Sequence, residues 1–268
     1  MPSLRPNSAA LHDNLKIEIM KALPKNLISR RNALKGLGAL GALGALSSAG
    51  MAAPGPVPKI KLKQGSVIVF QGDSITDAGR KKDILAPNDP KALGNGYAAM
   101  AAGSLLGDYA DLGLKIYNRG ISGNKIPDLA ARWQTDVIDL KPDVLSILIG
   151  INDLWHTIAF GSKYKGTIDD YEAGFRKLIE GTQLAVPGVQ IVMCEPFTLR
   201  KWPEFDPYIE RATKLAKEYK LAWVPFQSEL NKAAEGMGDT AFWLWDGIHP
   251  TIPGHAYIER VWRNALAI

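Results

Sequence analysis

Residues 67–79 read VIVFQGDSITDAG, and this stretch decides the fold. Its first half is a short apolar run rich in β-branched residues, which is typical of a buried strand. The run ends at a glycine that lets the backbone turn tightly, and Ser74 can then present its hydroxyl at the rim of a sheet. Taken alone, a Gly-Asp-Ser turn more often caps a helix than carries a catalytic group, so its meaning depends on the rest of the chain.

Four further apolar runs follow and alternate with stretches of helical spacing. The predicted strands cover residues 66–70, 114–118, 144–149, 189–193 and 222–225. The predicted helices cover residues 97–106, 127–140, 168–185, 206–219 and 254–267. Strands that alternate with helices form right-handed crossovers around a mainly parallel sheet. We therefore expect one α/β domain over residues 66–268, with a five-stranded, mainly parallel sheet in a three-layer α/β/α arrangement.

Residues 1–53 have the layout of an export signal. Arg30 and Arg31 precede eleven small or apolar residues at 36–46, and small residues suited to cleavage follow. At about 1.5 Å per residue this run covers about 16 Å, so we expect no permanent membrane helix. The paired arginines resemble a twin-arginine signal. We expect the twin-arginine machinery to export the precursor, a linker over 54–65, and a periplasmic or secreted mature protein; the alternative is an amphipathic arm on the domain.

The positive charge of the chain lies in this first segment. Residues 1–53 contain seven basic and two acidic residues, which accounts for the whole net charge of +5. The 25 basic and 25 acidic residues that follow cancel, so the domain has no excess charge to attract phosphate backbones or anionic lipid. We expect neither a nucleic-acid nor a membrane partner for the mature protein. Because Cys194 is the one cysteine, an intrachain disulfide and a Cys-rich metal site are excluded.

Polar residues follow other segments that a parallel sheet would bring to the same edge. Gly123 lies after the second strand and Asn152 after the third, while Asp246 and His249 lie in a loop near the C-terminus. Sites of such sheets gather beyond the carboxyl ends of the strands. A histidine can accept a serine proton when an acceptor holds its other ring nitrogen, and a carboxylate three residues earlier can be that acceptor. Singly, the glycine reads as a loop residue and the asparagine as a cap; together they favour a catalytic site.

These segments, in this order and at these separations, resemble the four blocks of the SGNH (GDSL) hydrolase family. The blocks lie at residues 72–74, 123, 150–153 and 246–249. The resemblance covers about residues 67–261 and implies a flavodoxin-like α/β fold. The chain has no G-x-S-x-G, so the nucleophile elbow of the α/β-hydrolases is not an alternative source of a serine.

The resemblance also assigns roles to individual residues. It implies that Ser74 is the nucleophile, that His249 is its general base and that Asp246 orients the base. It implies an oxyanion hole formed by the backbone N–H groups of Ser74 and Gly123 and by the side-chain amide of Asn152. This chemistry needs no metal, and we expect no cofactor.

Longer stretches resemble the branch of this family that contains bacterial acetylxylan esterases. They lie at residues 72–80, 94–97, 118–124 and 149–155. The branch implies removal of acetyl groups from xylan or xylo-oligosaccharides, and also a homo-oligomer. We expect substrate contacts from Asp73, Trp155, His156 and Trp245, because aromatic rings stack on sugar faces or close a small acyl pocket. Trp243 is a further candidate, with an ordinary core position as its alternative.

Two other functions stay open on the sequence alone. The same catalytic groups could serve a lysophospholipase, a thioesterase or an aryl esterase, because nothing in the sequence fixes the depth of the pocket. A carbohydrate-binding protein could keep the fold without the reaction. The intact set of serine, glycine, asparagine, aspartate and histidine argues against this second alternative.

Overall fold

A five-stranded parallel sheet forms the centre of the computed structural model, which describes residues 59–268. The strands are β1 (Val67–Gly72), β2 (Lys115–Asn118), β3 (Val144–Leu148), β4 (Gln190–Cys194) and β5 (Ala222–Val224). Their order is β2-β1-β3-β4-β5, and each neighbouring pair is parallel. The predicted sheet is therefore confirmed, and its all-parallel pairing explains why the strands read as apolar runs rather than as alternating ones.

Helices cover both faces of this sheet and complete the expected three layers. They are α1 (Ser74–Asp77), α2 (Pro90–Leu93), α3 (Tyr97–Asp108), α4 (Ile126–Ala131), α5 (Ile151–Ile158), α6 (Ile168–Ala185), α7 (Asp206–Glu218), α8 (Phe226–Ala234) and α9 (Ile252–Leu266). Helix α9 packs on α3 and α8, whereas α6 packs on α4 and α7. The two groups give the sheet one helical layer on each side.

The helix predicted over residues 127–140 is interrupted in the structure. Helix α4 ends before Arg132, and a π-helical turn covers Gln134–Ile138. The Arg132 guanidinium donates to the Gln71 side chain at 2.8 Å and to the Arg119 carbonyl at 2.7 Å. These contacts with the sheet edge hold the residue at the break, and the apolar spacing of the segment carries no signal for them.

The core joins the central strands to the long helices through large aromatic side chains. Phe70 on β1 lies 5.0 Å from the Trp262 ring and 5.8 Å from the Tyr97 ring, measured between ring centroids. The Trp262 indole N–H donates to the Ser146 hydroxyl at 2.9 Å, so a buried polar pair links α9 to β3. Burial of each such ring contributes about 2–3 kcal/mol of apolar transfer free energy.

The beginning of the described chain lies against the sheet. Ile60 is buried, and the backbone of Lys61 exchanges two hydrogen bonds of 2.8 and 2.9 Å with the Gln190 side chain on β4. The export signal that we predict over 1–53 lies outside the described residues, as does the start of the predicted linker, so these domain bounds stay a prediction. No helix in the part of the chain that the structure describes has the length and apolar character needed to cross a bilayer.

Gly72 brings the end of β1 into close contact with its neighbours. A Cβ at this position would lie 2.3 Å from the Leu148 carbonyl oxygen and 2.5 Å from the Thr76 hydroxyl. The first atom belongs to the backbone of β3, which cannot move without disturbing the ladder. The turn that carries Ser74 therefore requires glycine for reasons of space.

We predict that Gly72→Ala lowers the free energy of unfolding by about 1–3 kcal/mol, because the added methyl must displace β3 or α1. Gly103→Ala is the matched control: Gly103 lies inside α3 with no atom within 4 Å of its would-be Cβ, and alanine is the better helix former. Urea unfolding of the two variants checks this. Equal stability of both would contradict the packing argument.

Candidate active site

The β1–α1 turn sets the position of Ser74. Asp73 is the N-cap of α1, and its Oδ1 accepts the Ile75 N–H at 3.0 Å. Ser74 is the first residue of the helix, where a backbone N–H has no acceptor within the helix. The hydroxyl and the backbone N–H of Ser74 are thus both available at the carboxyl edge of the sheet.

An unbroken chain of hydrogen bonds joins the predicted serine, histidine and aspartate. Ser74 Oγ lies 2.9 Å from His249 Nε2, although the two residues are 175 positions apart. His249 Nδ1 lies 2.8 Å from Asp246 Oδ2. Both distances are within the range that a nucleophile, its general base and the orienting group require.

The loop around Asp246 fixes the orientation of its carboxylate. Oδ1 accepts the backbone N–H groups of Ile248 at 2.9 Å and His249 at 2.7 Å, which leaves Oδ2 for the imidazole. Partial burial favours a higher pKa for Asp246, but the hydrogen bonds from His249 and Ile248 outweigh it and hold the pKa below its ordinary value. An ionised Asp246 keeps the proton of the ring on Nδ1, so Nε2 can accept the proton of Ser74.

The proposed oxyanion donors come from the first turns of α1 and α5 and from the loop after β2. Asn152, in the first turn of α5, is buried, and its Nδ2 donates to the Asn124 carbonyl at 3.2 Å. The asparagine amide therefore lies against the loop that contains Gly123, which adopts a φ of 79°. Among the hydrogen bonds of residues 59–268, none uses the Gly123 backbone N–H. The loop thus presents a donor with no protein acceptor.

Three of the four residues expected to contact the substrate lie around the hydrogen-bonded series of Ser74, His249 and Asp246. The Trp245 ring stacks on the His249 ring at 5.6 Å with an interplanar angle of 19°, and Trp245 is 63% exposed. The Trp155 ring lies 6.2 Å from the His249 ring. His156 lies beside the oxyanion loop, since its Cε1 would be 3.9 Å from a Cβ at Gly123. Two indoles and a second imidazole thus line the mouth of the site.

Two other candidates occupy structural positions. Asp73 is 1% exposed: one carboxylate oxygen caps α1 and the other is buried. It therefore offers no accessible oxygen to a substrate, which differs from the contact that we expected. Trp243 packs against other parts of the domain: its indole N–H donates to the Ala233 carbonyl at 3.1 Å, and its ring packs on Tyr257 at 5.0 Å.

The structure adds residues that the sequence reading missed. Arg200 and Trp202 follow β4 and face the Trp155 ring, and the Phe160 ring lies 5.4 Å from the same indole. A cleft of about 430 Å³ lies on the outer side of Arg200 and Trp202, between this loop and α8. Arg200 and Trp202 could have been predicted from the sequence, because they follow a predicted parallel strand and the carboxyl edge of the sheet also holds the other site residues.

Two buried carboxyl groups are sequence neighbours of proposed site residues: Asp73 precedes Ser74, and Asp153 follows Asn152. Asp153 Oδ1 accepts the Ile126 N–H at 3.0 Å, while Oδ2 of both Asp153 and Asp73 is buried without a partner among the described residues. Burial raises the pKa of each to about 7, and at Asp73 the nearby charges of Asp153 and Asp77 add to this effect. No cluster of three or more His, Cys, Asp or Glu side chains in residues 59–268 could hold a metal ion.

We predict that Asp153→Asn becomes progressively more stabilising, relative to the unsubstituted protein, as the pH rises from about 4 to 7. Over that range the unfolded chain loses the carboxyl proton at the ordinary pKa of 3.8, whereas the folded protein keeps it up to about pH 7. The free energy of unfolding of the native protein therefore falls as the pH rises through this range. Asparagine does not titrate, so the variant does not show this decrease. Urea unfolding should show a change of about 1–3 kcal/mol between pH 5 and 8. A difference that is independent of pH would contradict the raised pKa.

The comparisons with known proteins agree with this geometry. The model of the GDSL-like lipase/acylhydrolase family matches residues 70–257. The chain belongs to this family. It is also 36% identical over 209 residues to an acetylxylan esterase of Geobacillus stearothermophilus, with 75% of this chain and 94% of the relative covered. The chain is therefore a carboxylic ester hydrolase with the expected SGNH fold.

Solved structures of GDSL enzymes resemble this esterase closely. A protein assigned as a GDSL-like lipase of Parabacteroides merdae is 45% identical with a TM-score of 0.75, over 78% of this chain and 99% of that one. The crystal structure of the Geobacillus stearothermophilus acetylxylan esterase is 34% identical with a TM-score of 0.71, over 78% and 97%. The second similarity confirms the resemblance to the acetylxylan esterase branch.

Proposed function

We propose that this esterase removes acetyl groups from xylan or xylo-oligosaccharides through an acyl-enzyme formed on Ser74. The observation that carries the proposal is the hydrogen-bonded series from Ser74 Oγ to His249 and on to Asp246, at 2.9 and 2.8 Å. This is the arrangement that converts a weakly nucleophilic hydroxyl into an effective one.

The first half of the proposed reaction transfers the acetyl group to the enzyme. Ser74 Oγ attacks the ester carbonyl carbon while His249 Nε2 accepts the hydroxyl proton. The tetrahedral intermediate then expels the sugar oxygen, which takes the same proton from the imidazolium and leaves as an alcohol. Asp246 keeps its negative charge throughout and stabilises the imidazolium.

The oxyanion of the intermediate needs donors that are already in place. The proposed ones are the backbone N–H groups of Ser74 and Gly123 and the Asn152 amide. The last is held in a buried position by its bond to the Asn124 carbonyl. Preorganised donors act most strongly where full charge develops, and the loss of one typically costs about 10²- to 10³-fold in kcat.

The second half returns the enzyme to its starting state. Water enters where the alcohol left, His249 Nε2 takes one of its protons, and the resulting hydroxide attacks the acetyl carbon. The second tetrahedral intermediate breaks the bond to Ser74 Oγ, which recovers its proton from the imidazolium. Acetic acid leaves, so each turnover consumes one ester and one water.

The preference for acetylated carbohydrate is supported by the rings around the site and by the relatives. The Trp245 and Trp155 rings lie 5.6 and 6.2 Å from the His249 ring and offer flat faces to sugars, and we expect them to leave little space for a long acyl chain. The similar proteins of Geobacillus stearothermophilus are described as an acetylxylan esterase and an acetyl-xylooligosaccharide esterase. Together these points favour deacetylation of carbohydrate over hydrolysis of lipid esters.

We predict that Ser74→Ala abolishes hydrolysis of p-nitrophenyl acetate and labelling by a fluorophosphonate, because both require the Ser74 oxygen. The free energy of unfolding should stay within about 0.5–1 kcal/mol of the unsubstituted protein, since one partly buried hydrogen bond is lost. Ser104→Ala is the control, because Ser104 lies on α3 and contacts Glu259 rather than the site. A folded Ser74→Ala variant that retains full activity would refute the nucleophile.

We predict that kcat/KM for p-nitrophenyl esters falls at least tenfold between C2 and C8, because the indoles near His249 restrict the acyl side. Acetate release from acetylated xylan, acetylated xylo-oligosaccharides and acetylated xylose, measured side by side, then identifies the size of the alcohol. A maximum at C8 or longer would replace this proposal by a lysophospholipase or thioesterase function. A protein that binds xylan without hydrolysing any ester would point to the carbohydrate-binding alternative.

A further inference from the structure

Arg200 lies where the loop after β4 meets the loop that carries Asp246 and His249. Its guanidinium lies against two indole rings that also contact each other: the central carbon is 5.1 Å from the Trp155 centroid and 5.0 Å from the Trp202 centroid, and the two centroids are 6.0 Å apart. The side chain is 33% exposed. A cation packed against two aromatic rings loses much of its freedom to reorient, so its hydrogen-bond donors point in fixed directions.

One of these donors holds the main chain of Asp246. Arg200 Nε donates to the Asp246 carbonyl at 2.8 Å. The neighbouring residues reinforce this contact, because the Thr198 hydroxyl and the Leu199 N–H both donate to the Gly247 carbonyl, at 2.9 and 2.8 Å. The two loops are therefore joined by three hydrogen bonds immediately beside the residue that orients His249.

The packing between the two loops is close. Gly247 has a φ of 82°, and a Cβ there would lie 2.7 Å from Arg200 Cγ. The stem of the arginine thus passes directly over the Asp246–His249 loop. A shift of the stem would move the Asp246 carbonyl, and with it the Oδ2 that receives His249 Nδ1 at 2.8 Å.

Arg200 also brings a positive charge to this carboxylate. Its Nη2 lies 3.8 Å from Asp246 Oδ2, the oxygen bonded to the imidazole. This attraction between opposite charges adds to the hydrogen bond at the Asp246 carbonyl, so the guanidinium holds both the main chain and the carboxylate of Asp246.

We propose that Arg200 is a positioning residue of this esterase: it fixes Asp246 so that His249 stays aligned with Ser74. The inference rests on the proposed function of these three residues. It assigns a geometric effect to the guanidinium. Because the aligned groups act in the chemical step, the effect appears in kcat rather than in KM.

The test compares Arg200→Met, which removes donor and charge, with Arg200→Lys, which keeps the charge. For p-nitrophenyl acetate between pH 5 and 9, Arg200→Met should lower kcat about 10- to 100-fold with KM changed less than about threefold. Arg200→Lys should recover kcat only in part, because the ammonium keeps the charge but not the Nε donor that bonds the Asp246 carbonyl.

Arg260→Met is the matched control, because Arg260 lies over the Tyr257 ring at 5.7 Å on α9 and does not contact the catalytic loop. It should leave kcat and KM unchanged. If Arg200→Met does not fold, Arg200→Gln against Arg200→Lys makes the same comparison of charge. An unchanged kcat, a loss confined to KM, or a full recovery of kcat in Arg200→Lys would each overturn the inference. An unsubstituted protein without esterase activity would instead overturn the proposed function.

Discussion

The hydrogen bond between Ser74 Oγ and His249 Nε2 joins two parts of the chain that are 175 residues apart, and the proposed chemistry depends on it. Each end has its own support. The serine lies on a turn whose Gly72 contacts the Leu148 carbonyl too closely for any side chain. The histidine lies on a loop where one aspartate receives two backbone N–H groups and the imidazole. Because both supports are rigid, the two atoms meet without a substrate to draw them together.

The surroundings of the carboxyl groups explain why only one of them can serve as the charged partner. Asp246 receives several donors, which hold its pKa low and keep it ionised. Asp73 and Asp153 are buried with an unpartnered oxygen each, and burial raises the pKa of both to about 7. Differences in environment of this kind are how one site assigns distinct tasks to similar side chains.

The aromatic residues connect this catalytic centre to the solvent. Trp245 and Trp155 lie beside the His249 ring, and Trp202 continues the series through Arg200 to the cleft next to α8. The proposed preference for sugars over lipid chains depends on these flat faces, because sugars stack on indoles.

The sequence by itself determined the five strands and the blocks that carry Ser74, Gly123, Asn152, Asp246 and His249, because strand character and turn chemistry are properties of a few neighbouring residues. Tertiary structure alone decided the break of α4 at Arg132, the burial of Asp73 and the place of Arg200 beside Asp246. Each of these depends on partners from distant parts of the chain, such as Gln71 for Arg132 and the Asp246 carbonyl for Arg200. Local sequence patterns do not predict such contacts, because the contacts form only when the chain folds and distant segments meet at the carboxyl edge of the sheet.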